Sequence, residues 1–575
     1  MAKRRPYEQL PDSLKEAKRR QVLKSLGAVA AAGSLAGCSS GDDDSPDLAG
    51  RGSDDYGDTI ELSIDAPRLQ NIPDIMRDIG NHWEQELGIT FNIETTSWGT
   101  YLDMIWIQQD YENVAWTFFG GSPERFDPQF FLSVHTPDNP QNVSNWTDPE
   151  YTELYQEYTR TFDEERRNEI VGEMQTMWHE DHASTVNICW PVDLFPYDAE
   201  RWNLEPTTMI GAGAASTMTL ITAEPQGDET SLIIGGEEVN QRPNVTAPTA
   251  NAMDWLFRSV YDTCRRLSLD GEFINWAIEN FEVIDETTID LTLREGMEFH
   301  DGEPVTAEDL QFTFEFLSSY TFGKIDTHVQ PIDSVSLETD LTARVHLEDP
   351  WANFTTNTLV YTWILPVHIW GDVPNQVDEP VNWSQEVGNN PPGDWAASGP
   401  LQVRSVSPER IELEAYDDHF SDYPQYDELI YQRQGSEEAV RSELVEGNIH
   451  AKLQVPSVSM ANQAADQGDH IELIEEDSLL TQCYSFNVNN SPGDDLVFRK
   501  ALRACTNANQ MMQVHRRGHA VESDSTYIHP EHPLELGRDD LPTMPEMYDP
   551  ENARQMLEDA DYAWDDNGQL RYPSD

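Results

Sequence analysis

The chain has 575 residues, 38% of them hydrophobic and 10% aromatic, and its 105 Asp and Glu against 36 Lys and Arg leave a formal net charge of -69. At ~100–200 residues per domain this allows roughly two to four domains with packed cores and excludes disorder throughout. A mean hydropathy of -0.61 with no apolar run of ~20 residues excludes a polytopic membrane protein, and five Cys without paired zinc or CxxC spacing exclude a disulfide scaffold.

The first predicted element is an address. Lys18-Arg19-Arg20 precedes a short apolar stretch from Val22 to Ala36, which ends in Leu35-Ala36-Gly37-Cys38. A cationic start, a short apolar run and small residues before a cleavage point describe an export signal over 1–38. The adjacent arginines resemble a twin-arginine signal, and Leu-Ala-Gly-Cys resembles a lipobox that would make Cys38 the acylated first residue. Residues 39–57 are polar and acidic and read as a flexible tether.

Ile60 to Ile64 alternates as a strand, Ile72 to Leu87 has helical spacing, and Ile89 to Ile93 is a second strand, which predicts a βαβ unit. A helix is expected over Tyr101 to Ile107, and Pro149 to His182 is helical with a break near Phe162-Asp163. Met218 to Gly236 mixes short strands with the turn Pro225-Gln226-Gly227-Asp228, and β-branched alternation returns from Ile284 to Leu293 and from Leu401 to Ala415. Helices close the chain at Ala439–Glu446, Leu496–Ala508 and Pro550–Ala560. The four remaining Cys, at 189, 264, 483 and 505, are expected as buried thiols.

After Lys24 only Lys324, Lys452 and Lys500 interrupt an otherwise lysine-free acidic chain. Such a charge opposes compaction at low ionic strength, and salt of about 1 M, with a Debye length of ~3 Å, removes most of that cost. The composition resembles that of halophilic proteins. No basic face is visible for nucleic acid, whose binding depends on counterion release.

Leu293-Arg294-Glu295-Gly296-Met297-Glu298-Phe299-His300-Asp301-Gly302-Glu303-Pro304-Val305-Thr306-Ala307-Glu308-Asp309-Leu310 reads as strand, turn and capped helix. It also resembles the signature of the extracellular solute-binding proteins of peptide/nickel-type ABC importers. Ser398-Gly399-Pro400-Leu401, Leu444 to His450, Phe486-Asn487 with Phe498 to Leu502, and Tyr548-Asp549-Pro550 to Tyr562 are similar to further blocks of that family. Segments that would follow the Tyr-Asp-Pro helix appear instead at the front: Ile60 to Ile64, Gly88-Ile89, Trp116, Asp127-Pro128, and Asn145 to Pro149. The resemblance therefore implies a circularly permuted α/β clamp of the periplasmic-binding-protein type II kind. The family's usual ends would be joined between Thr222 and Ser231. One lobe would be contiguous over 190–478, and the other split between 58–189 and 479–575.

Peptide-binding members carry an Asp three residues after the Trp at 116, to hold the ligand's amino group; the position here is Phe119. Asp127 is a candidate substitute, with a structural turn before Pro128 as the competing reading. Trp363, Trp383 and Trp395 are candidate stacking surfaces, with core packing as the alternative. His179-Glu180-Asp181-His182 lacks HExxH spacing and is expected as a solvated helix end. His300 is expected to be architectural. No catalytic residue, metal site or cofactor is expected, and Asn142, Asn145, Asn244, Asn353, Asn382 and Asn489 head glycosylation sequons.

The reading is a monomeric, lipid-anchored binding protein on the outer face of the membrane. It would capture a peptide-like or other oligomeric solute in an interlobe cleft and hand it to an ABC permease with its ATPase. A secreted hydrolase of peptide or glycan and a non-transport sensor are the rivals.

Overall fold

The computed structural model describes residues 57–573 except 70, 138, 140, 214–215, 237–253, 320–325, 330, 373–394, 453–454 and 533–540. The expected signal with Cys38, the tether up to residue 56, Trp383, Asn244 and Asn382 lie outside the described residues.

The βαβ unit forms as its periodicity dictates. Helix Ile72–Leu87 buries Ile75, Met76, Ile79, Trp83 and Leu87 on one stripe and ends at Gly88, whose φ of 68° continues the chain in the left-handed region that glycine enters without strain. Strands Glu61–Pro67 and Thr90–Thr96 pair in parallel, Ile64 opposite Ile93. Val114–Thr117 joins on the other side, again in parallel, and Gln482–Phe486 adds to it antiparallel.

These strands belong to a 12-stranded sheet whose middle is one long strand, Thr185–Asp198. Its first part, Thr185 to Cys189, pairs with Gln482–Ser485, and its second part, Val192 to Asp198, pairs with Ile471–Asp477. Between them sits Pro191, which has no amide hydrogen to give the ladder; its carbonyl accepts the amide of Ser478 at 3.1 Å. Two antiparallel crossings thus run side by side where one strand changes partner. Beyond them the sheet continues through Ala451–Lys452, Ser231–Gly236, Glu428–Arg433, Arg410–Ala415 and Leu401–Val406.

Separate cores lie on the two sides of these crossings. One is drawn from residues between Phe195 and Ile474, the other from Ile60 to Ile188 together with Tyr484 to Leu570. The first also covers a four-stranded antiparallel sheet in the order Ile278–Asp285, Thr288–Leu293, Thr342–Leu347, Ile332–Leu337. Helix Ala307–Ser319 packs on that sheet. At its start the Thr306 amide and hydroxyl both donate to Asp309 Oδ2. His300 donates its amide to the Ala397 carbonyl at 2.7 Å, with its Nε2 at 2.9 Å from the Gly399 carbonyl, so the signature turn braces the Ser398-Gly399 step.

Several local expectations need correction. The alternation over Ile284 to Leu293 spans two strands of a hairpin, where Asp285 Oδ1 accepts the Thr287 amide and turns the chain, and that over Leu401 to Ala415 likewise spans two paired strands. The helix near Tyr101 begins at Trp98 and continues from Asp103 to Gln108 as a π-helix. Leu496–Ala504 stops at Cys505, and Asn507 caps a new helix, Ala508–His515. The solvated helix end at His179–His182 is instead a π-helical turn with both imidazoles buried. The wider turn swings His182 inward against Trp146, Trp178 and His135, and burial lowers its pKa well below the usual value. The sequon Asn353 is wholly buried and Asn142 nearly so, whereas Asn489 is exposed. The four described Cys are free and buried.

The first and last described segments pair with each other. Ile60 donates to the Leu570 carbonyl at 2.9 Å, Tyr572 to Asp58 at 3.1 Å, and Gly57 to Tyr572 at 3.2 Å.

Candidate functional site

Away from the crossings, the two sides meet along a seam built by the segment after strand Val114–Thr117. Ser122 precedes a one-turn helix, Pro123–Arg125, and donates its hydroxyl to Glu124 Oε1 at 2.6 Å. Glu124 Oε2 accepts from Arg258 Nη2 at 2.7 Å, on helix Asp254–Val260 of the opposite side. The two side chains are 1% and 7% exposed, so little solvent screens the pair.

Three residues after Glu124, Asp127 collects a dense set of donors. Its Oδ1 accepts from the Gln129 amide, the Tyr158 hydroxyl and, across the seam, Asn353 Nδ2 at 2.7 Å. Its Oδ2 accepts from Thr356 Oγ1 at 2.7 Å and Arg167 Nη2 at 3.3 Å. Burial opposes the charge on Arg167, but Tyr158 and Asp127 outweigh it and hold its pKa above the ordinary value. Asn357 Nδ2 reaches Gln129 Oε1 at 3.3 Å and extends the same seam.

Behind Arg258 lies a small cavity of about 20 Å³, lined by Pro123 from one side and by Thr207, Ser216, Thr217, Arg266 and Val360 among others from the second. A space of that size holds roughly one water, too little for a peptide at this point of the seam. Arg266 is held by the carbonyls of Arg258 and Tyr261 and lies 3.4 Å from Asp262. Burial pulls its pKa down to about 10; Asp262 opposes that shift and Arg258 adds to it. Burial alone would raise Asp262, but His419, Arg266 and the Trp276 indole hold it below the usual carboxylate range. The arrangement can clamp two α/β bodies together and neutralise anionic groups between them. Among the described residues no cluster of three or more His, Cys, Asp and Glu is placed to hold a metal ion.

Residues 272–574 match the family model of bacterial extracellular solute-binding proteins, family 5 Middle. The chain belongs to this family. It is 27% identical over 284 residues to the oligopeptide-binding protein AppA of Bacillus subtilis, covering 48% of this chain and 49% of that protein. It is 23% identical over 318 residues to the glutathione-binding protein GsiB of Pectobacterium atrosepticum, covering 53% and 56%. The chain thus spans about half the length of the curated relatives it matches. The structure of AppA in complex with a nonapeptide superposes with a TM-score of 0.45 and 22% identity, over 59% of this chain and 66% of that one.

In this family 5 chain the expected contact residues fall in different places. Trp116 is a buried residue of its strand, and its carbonyl accepts the Tyr101 hydroxyl at 2.6 Å. Phe119 packs edge-on against Trp106, Phe130 and Tyr527; its amide donates to the Thr481 hydroxyl and its carbonyl accepts the Thr481 amide beside the crossing. Asp127 lies on the seam. Trp363 and Trp395 both pack on Phe257, next to Arg258. Of the expected set, the fold brings Trp363 and Trp395 together and keeps Trp116 and Phe119 apart from them.

Glu124, Arg258, Arg266 and Thr356 were not singled out from sequence, and Asn353 only as the head of a sequon. A signal existed for the two arginines: three cations at Arg258, Arg265 and Arg266 interrupt the apolar run from Trp255 to Leu267 in a chain short of cations. For a seam contact by Asn353 or Thr356 there was none.

Proposed function

We propose that the chain is the solute-binding component of an ABC importer, capturing a peptide-like or other oligomeric solute between two lobes, 190–478 and 58–189 with 479–575. The observation that carries this is the family membership of residues 272–574. The partner change on strand Thr185–Asp198 supports it, since two adjacent crossings are what a hinge between lobes needs. Capture would work by differential affinity: a solute touching both faces of the seam shifts the balance toward closure only by the contacts it gains there. The family and the names of the relatives support a permease and ATPase as partners and a non-catalytic role. A buried Phe119 in place of a carboxylate argues against simple free-amino peptides as solutes.

The pairing of 57–60 with 570–572 supports the permuted order, because a short hairpin turn would suffice to join residue 573 to residue 57. The signal-like 1–38 supports export, and Cys38 a lipid anchor on the outer face of the membrane. The charge of -69 supports a concentrated-salt habitat.

The test is thermal unfolding of the unlipidated protein in concentrated KCl against peptides, oligosaccharides and nickel chelates. A binder at about 100 times its Kd should add roughly 2.7 kcal/mol. An upward shift from one class, with the ligand recovered intact, supports capture. A cleaved ligand would point to the hydrolase, and no shift with any class to the sensor.

A further inference from the structure

The seam carries a charge arrangement that solute capture in general does not require. Two arginines, Arg258 and Arg266, line the same small cavity together with the hydroxyls of Thr207, Ser216 and Thr217. Arg266 Nη1 and Thr217 Oγ1 have no hydrogen-bond partner among the described residues, although their residues are 7% and 5% exposed. Buried polar groups are rarely left so. Asp262, the nearest acid to Arg266, is not among the lining residues, and its Oδ1 is already shared by Arg266, Trp276 and His419. The Thr207 and Ser216 hydroxyls are bonded to each other at 2.7 Å, so Arg266 and Thr217 hold the donors left over among the lining residues. The carboxylate that meets Arg258 comes from the other side of the seam, on the short Pro123–Arg125 turn.

A guanidinium fork recognises carboxylates through paired N–H donors. Glu124 on Arg258 has the chemistry that a solute carboxylate would bring. Resting on the capture reading, we propose that Arg258, Arg266 and Thr217 form a seat for a carboxylate of the solute, with Glu124 as the built-in group that the solute carboxylate displaces. Displacement keeps the number of buried charges constant. The lobes part, Glu124 returns to water on its turn, and the incoming anion takes over Arg258 while reaching the donors of Arg266 and Thr217. Removing Glu124 without a replacement instead leaves a buried cation uncompensated, the costly case. The cavity of about 20 Å³ fits this order of events, since no carboxylate-bearing solute enters until the Glu124 turn moves.

Two measurements test the seat. Glu124→Ala should melt below the wild type in KCl and recover most of the difference when potassium acetate replaces the chloride at equal ionic strength. The wild type should gain no such increment, and Glu124→Ala combined with Arg266→Gln should lose the recovery. A Glu124→Ala protein that acetate does not rescue overturns the proposal. If that variant does not fold, Glu124→Gln is used with the second measurement. There, tri-alanine and its C-terminal amide, both N-acetylated, are titrated into wild type and variant. The free acid should bind at least tenfold more tightly than the amide, and more tightly to the variant than to the wild type. Equal binding of acid and amide overturns the seat and leaves capture standing. Acetate rescue with neither peptide bound, and no other solute class bound, overturns the capture reading and with it the seat's role in that reading.

Discussion

Asn353 donates its Nδ2 to Asp127 Oδ1 at 2.7 Å, joining residues 226 positions apart and the two sides of the seam. With Thr356, Tyr158, Arg167 and the Gln129 amide, that bond makes Asp127 the most heavily shared carboxylate of the seam. Its bonds hold the two sides of the seam together.

Replacing Asp127 with Ala should therefore be costly. It strands Arg167 in a largely buried site and leaves Asn353 and Thr356 short of an acceptor. The expected loss is about 3–5 kcal/mol, as when one partner of a buried ion pair is removed. Asp127→Asn keeps the shape and should lose less. Denaturant unfolding in concentrated KCl measures both.

Gly88 and Gly296 form a matched pair for backbone strain. Both have positive φ, 68° and 78°. A Cβ on Gly88 would sit 1.9 Å from the Gly568 carbonyl, whereas one on Gly296 meets nothing within 4 Å. Gly296→Ala should cost about 1–2 kcal/mol for the left-handed conformation alone. Gly88→Ala should cost clearly more, because the hairpin Ala563–Arg571 must move, and thermal unfolding of the two variants reads the difference.

Asp65 sits buried in its strand, with Glu94 opposite it on the neighbouring strand. Burial raises its pKa to about 7, and Glu94, Glu112 and Asp110 add to the rise. The unfolded chain gives up this proton near the ordinary value of about 3.9, and the folded chain holds it to about 7. Between those values the native state binds more protons, so stability falls as pH rises through the window. Asp65→Asn should relieve this penalty. Its gain over the wild type should be absent below about pH 4, grow towards pH 7, and reach on the order of 4 kcal/mol at pH 8. Asp193, which burial raises to about 6, should behave alike over a narrower window. Chemical unfolding at stepped pH measures each.

A net charge of -69 makes the folded chain salt-dependent. The melting temperature should climb steeply between about 0.1 and 1 M KCl, as the Debye length falls from ~10 to ~3 Å, and flatten above that. The Glu124–Arg258 pair, with both side chains under a tenth exposed, should contribute little to the salt slope. Glu124→Gln should therefore shift the curve down without changing its steepness.

Cys38→Ser should release the exported protein into the medium if that thiol carries the lipid, with the folded domain unchanged. Fractionation of cells and medium reads the difference, and a variant still held on the cells would remove the lipobox reading.

Periodicity is local, and so the elements it governs were legible. Ile75, Met76, Ile79, Trp83 and Leu87 face one way because a helix repeats every 3.6 residues, wherever the rest of the chain goes. The strands at Glu61 and Thr90, the break before Asp163 and the turn at Gly302 follow from equally short-range chemistry. The family blocks from Leu293 to Tyr562 were legible for a related reason: they are turns, caps and packed steps whose residues are constrained in place.

Contact across the seam is a different matter. Asp127 is legible only as a candidate for the carboxylate missing at Phe119 or as a turn before Pro128, and nothing near it in sequence points to Asn353 or Thr356. His179 and His182 look solvated at α-helical spacing, and only the π-helical turn, set by packing of Trp178 and His182 against Trp146 and His135, turns them inward. The sequence alone determined an acidic α/β chain of the family 5 kind with a leader-like front. Tertiary structure decided which carboxylates and arginines meet, because a buried charge is tolerated only where the fold brings it a partner, and partners come from anywhere along the chain.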